Sequence, residues 1–99
     1  MSPIHVNYDN VFRQAARLRR IGEEHRSAAQ TLEHQRDQLS ASWRDPAGAT
    51  YAQAATHLAA EMRTSADELI RLAGLIERAA REYKQQEEAN AAAAGGLAT

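Results

Sequence analysis

Trp43-Arg44-Asp45-Pro46-Ala47-Gly48 is where two long helical patterns meet. Before it, Val11, Ala15, Leu18, Gly22, His25, Ala29, Leu32, Arg36, Leu39 and Trp43 follow one another in alternating steps of four and three residues. After it, Gly48, Tyr51, Ala55, Leu58, Met62, Ser65, Leu69, Leu72, Ile76, Ala79 and Tyr83 do the same. Alternation sustained over more than three heptads puts each series on one helical stripe, so the pattern predicts two helices packed lengthwise. Asp45 is a good helix cap. Pro46 is a good first helical residue, because its ring presets φ and its missing N–H would be unpaired there anyway. The expectation is an all-α antiparallel hairpin, with a helix over about 9–42, a turn at 43–46 and a helix over about 47–89. Residues 1–89 form the single domain, and 90–99, with four alanines and Gly95-Gly96, form a flexible tail that the glycine pair keeps from staying helical.

Helices of roughly 50 and 60 Å at 1.5 Å per residue make a hairpin one layer thick, which buries only one stripe of each. The apolar surface is wider than that. Leu18, Leu32, Leu39, Leu58, Met62, Leu69, Leu72 and Ile76 are expected to form the core and dimer seam. Beside them Ala52, Ala59, Ala66, Ala73 and Ala80 repeat every seven residues. Small side chains at that spacing admit a neighbouring helix closely, so this second face is expected to meet another hairpin and complete a four-helix bundle dimer. His25 and Arg36 are polar interruptions of the first stripe, of the kind that sets partner and register.

Composition narrows the function. Net charge is −1 and cysteine is absent, so no strong field draws nucleic acid and no disulfide braces the fold. Arg13, Arg17, Arg19 and Arg20 are dense in sequence, but a helix scatters them around its circumference, as expected for a solvated face or for ion pairs between helices. Four scattered histidines, His5, His25, His34 and His57, lack the convergent ligands a metal site needs, so neither metal nor cofactor is expected. No nucleophile with its base, no paired carboxylates and no glycine-rich phosphate loop are present, and a thin hairpin has no cleft for them; enzyme activity is not expected. The opening residues show neither a charged nor an apolar leader segment, and nothing approaches the roughly 20 apolar residues that span a bilayer.

Trp43 at the corner, Tyr51 eight residues on, about one hundred residues without cysteine, and Tyr83-Lys84-Gln85-Gln86-Glu87 near the end of the second helix together resemble the WXG family of small helical-hairpin proteins. The resemblance spans nearly the whole chain. It implies a hairpin that pairs with a homologous hairpin or with itself and leaves the cytoplasm by type VII secretion without a cleaved signal peptide. It also implies a Tyr-x-x-x-Asp/Glu export signal, here Tyr83 and Glu87, read by the secretion ATPase. The Trp-x-Gly of the family is altered to Trp43-Arg44-Asp45, with glycine delayed to Gly48 and expected to supply backbone freedom at the turn. In an antiparallel dimer, the Trp43-Arg44-Asp45 corner of one chain would lie beside the export signal of the other. Leu97, the only bulky apolar residue of the tail, is a candidate anchor for the ATPase. The alternative is a cytosolic helical adaptor or chaperone subunit that holds a client along the same seam.

Overall fold

The computed structural model describes residues 6–97, the Leu97 side chain lying outside what is described. Two antiparallel helices, α1 (Tyr8–Ser42) and α2 (Pro46–Leu97), make a rod of 82 × 20 × 16 Å. Asn7 caps α1 by accepting the Asn10 N–H at 3.0 Å, so the helix starts about one residue earlier than the sequence suggests. At the other end, Trp43 leaves the helix in an extended conformation, with its N–H still donating to the Leu39 carbonyl at 2.8 Å. Pro46 opens α2 as expected.

The line along which the helices touch is made of methyl groups. Ala15 and Ala29 from α1, with Gly22 between them, and Ala59, Ala66, Ala73 and Ala80 from α2 are buried, and no large side chain among the described residues is fully buried. This corrects the expectation that the α2 alanines face a second hairpin. Small residues repeat every seven positions on both helices, and the closest backbone approach goes to the pair of stripes with least bulk. A Cβ built on Gly22 would lie 3.0 Å from the Ala66 carbonyl oxygen and 2.8 Å from Ile70 Cγ1, which measures how tight that approach is. The larger residues are displaced to the two flanks.

The flanks differ in chemistry. On one, Arg19 pairs with Glu77, Arg26 with Asp67 and Arg63 with Glu33, and Arg36 donates to the Thr56 hydroxyl at 3.0 Å. These cross-links fix the register. The other flank carries the leucine stripes, and it is bare: Leu39, Leu58 and Leu72 are 43%, 49% and 45% exposed, while Leu18, Leu32, Met62, Leu69 and Ile76 are half-buried. His25, in the middle of that flank, is half-buried and bonds to the Ile21 carbonyl of its own helix at 2.9 Å.

α2 does not stop at Ala89. It runs through Gly95-Gly96 to Leu97, where a flexible tail was expected. Alanine is the best helix former, and extending an existing helix adds a hydrogen bond per residue without the cost of nucleation, which offsets about 1 kcal/mol for each glycine. Because α1 begins opposite Glu87, the last turns of α2 project past it, with exposed residues through Gly96.

Candidate functional site

Both ends of the rod carry the residues that the sequence singles out. At the corner, the Asp45 carboxylate accepts the Gly48 N–H at 3.0 Å, and the Asp45 carbonyl accepts the Ala49 N–H at 3.1 Å, closing the first turn of α2. The Asp45 carboxyl titrates below its ordinary range, held there first by the Gly48 N–H and then by the Trp43 indole N–H. Trp43 lies against Tyr51, ring centroids 5.1 Å apart and tilted by 37°. Gly48 has no positive φ, so backbone freedom is not why it is glycine. A Cβ there would fall 2.2 Å from the Trp43 carbonyl oxygen and 2.9 Å from its Cγ. The delayed glycine makes room for the tryptophan, one turn into the helix. Arg44 is exposed, and nothing in the structure gives it a partner role.

At the opposite end, Tyr83 is 64% exposed and Glu87 stands one turn further along the same side of α2. Together they border an open, largely apolar groove lined also by Val6, Tyr8, Val11 and Ile76. Tyr8 is half-buried, and its hydroxyl is raised above the usual phenol pKa, first by loss of solvent and then by a hydrogen bond to the Glu87 carboxylate. Tyr8 thus brings the first turn of α1 against the Glu87 end of α2. Tyr83 and Glu87 therefore sit at an end of the hairpin to which both helices contribute. Tyr8 escaped the sequence reading. Continuing the seven-residue count outward finds it, since Tyr8 precedes Ala15, Gly22 and Ala29 just as Glu87 follows Ala66, Ala73 and Ala80.

The two ends do not meet within one chain: the 35 residues of α1 hold Trp43 about 50 Å from Tyr83.

Residues 3–88 match the family described as proteins of 100 residues with WXG. The chain belongs to this WXG100 family, whose members are small helical substrates of type VII secretion rather than enzymes. No curated protein and no solved structure matches it. No helix among the described residues is long and apolar enough to cross a membrane.

Proposed function

We propose that this chain is a type VII secretion substrate that leaves the cell as a folded helical dimer, its export signal being Tyr83 and Glu87. The observation that carries the reading is the end of the hairpin where Tyr83 is exposed beside Glu87, and where Tyr8 of the other helix lines the same groove. An aromatic ring and a carboxylate presented together give a receptor one apolar and one charged contact. Because Tyr8 arrives from the far end of the sequence, the pair is presented in this way only after the hairpin has closed. The secretion ATPase would thus read a folded chain.

The dimer is supported by the bare leucine flank. Single exposed leucines are ordinary on a surface, whereas an apolar stripe along both helices, interrupted by His25 and Ser65, is what a monomer avoids. Covering it with another WXG100 hairpin in antiparallel orientation completes a four-helix bundle and brings Trp43 of one chain to the Tyr83–Glu87 end of the other. The test is secretion: the protein should reach the medium in a strain with a working secretion ATPase and remain inside without it. Equal amounts in the medium of both strains would overturn the proposal and leave the cytosolic adaptor as the reading of the same flank.

A further inference from the structure

We infer that the two helices form an oligophosphate-binding groove on the cross-linked side of the rod, centred on Gly74 and built from Arg19, Arg71, Arg78 and Arg81. These arginines, with Gly74, Leu75 and Glu77, line an open groove of about 590 Å3. Of the arginines that are dense in α1, only Arg19 reaches it. Arg71 stands three residues before Gly74 and Arg78 four after it, with Arg81 about one turn further on, so the helix brings all three to one side. The groove lies away from the leucine flank, and the inference does not depend on the dimer reading.

The hairpin itself does little to neutralise these cations. Glu77, one turn before Arg81, is engaged by Arg19 across the seam. Arg71, Arg78 and Arg81 are exposed and take part in no ion pair among the described residues. Asp67 is paired with Arg26, while Glu68 and Glu82 stand one turn from Arg71 and Arg78 on the row towards the leucine flank. Even with those two counted, bases outnumber acids around the groove. Gly74 gives it its floor. A Cβ there would meet nothing within 4 Å, so packing does not require glycine, which is a poor helix former. What glycine does provide is open backbone between Arg71 and Arg78, against which a ligand can lie.

The kind and spread of the cations set the ligand chemistry. Guanidinium forks match phosphate oxygens two at a time. Arg71 and Arg81 lie roughly 15 Å apart along the helix at 1.5 Å per residue, a span that linked phosphates cover better than a single one. An acidic peptide would need a strand edge or a pocket for an anchor side chain, and the groove offers only the exposed Leu75.

Isothermal titration of the whole chain with tripolyphosphate at about 0.01 M salt tests the inference. Arg71→Gln/Arg78→Gln/Arg81→Gln should weaken binding roughly tenfold or more, whereas Arg13→Gln/Arg17→Gln/Arg20→Gln, which removes the same charge from exposed sites on α1, should change it less than about threefold. Gly74→Leu keeps every charge and its Cβ has open space, so helicity by circular dichroism should be retained while the filled floor weakens binding roughly tenfold. Equal weakening by the two triple variants, or parental binding by Gly74→Leu, would leave only a general attraction of a polyanion to arginines and would overturn the inference. Absence of measurable binding by the parent, or equal affinity for a short glutamate peptide of the same charge, would overturn it as well.

Discussion

At the scale of single residues, the corner is held by one cap and one missing methyl. Gly48→Ala should destabilise the hairpin by about 1–3 kcal/mol, because the new Cβ meets a backbone oxygen that cannot swing away as a side chain would; thermal melts followed by circular dichroism measure it. Asp45 gives the corner a pH dependence of definite sign. Its folded pKa is depressed, so its contribution is present above the unfolded carboxyl value near 4 and is lost as pH falls through the lower folded value. The stability gap between the parent and Asp45→Ala should accordingly be constant from pH 5 to 8 and narrow only in acid, and a gap that changed around pH 6.5 would point to a histidine. At the other end, Tyr8→Phe keeps the ring and removes the donor to Glu87. It should leave helicity unchanged and reduce secretion, whereas secretion at the parental level would show that Glu87 does not depend on the Tyr8 hydroxyl.

At the scale of helices, the sequence displayed two stripes per helix but not which one faces inward. Heptad alternation located the start of α1, the turn and the start of α2 to within a residue or two, because Asp45-Pro46 is an explicit start signal and the single Gly22 does not break the first run. Hydrophobicity alone then ranked leucine above alanine for the hairpin seam, and the structure reversed that order. The deciding quantity is how closely two backbones approach, and it depends on both helices at once: the α2 alanines are buried because α1 sets Ala15, Gly22 and Ala29 against them. Gly22→Ala should therefore cost about 1–3 kcal/mol despite alanine's better helix propensity, since the added methyl lies 3.0 Å from the Ala66 carbonyl. A Gly22→Ala hairpin that melts at a higher temperature than the parent would put the close approach in doubt. The proposed signal pair Tyr83 and Glu87 was legible as a spacing within one helix; its nearness to Tyr8 was not, because that contact joins the two ends of the chain. The extension of α2 past Gly95-Gly96 was missed for a simpler reason, that glycine was read as a stop where a run of alanines already carries the helix.

At the scale of the molecule, a rod whose own seam is mostly methyl groups keeps its leucines for something else. Leu72→Asp separates the two roles: at 45% exposure in the single chain, the aspartate remains hydrated and the hairpin should still fold, but in a covered flank an unpaired carboxylate would abolish association. Sedimentation of this variant should show a helical monomer, and a dimer of parental affinity would put the interface elsewhere. The most direct measurement of the central claim, that a folded dimer is exported by its Tyr83–Glu87 end, is the secreted and intracellular amount of a Tyr83→Ala/Glu87→Ala chain beside that of the parent. The account predicts parental helicity and dimerisation with secretion lost. Normal secretion of the double variant would contradict it.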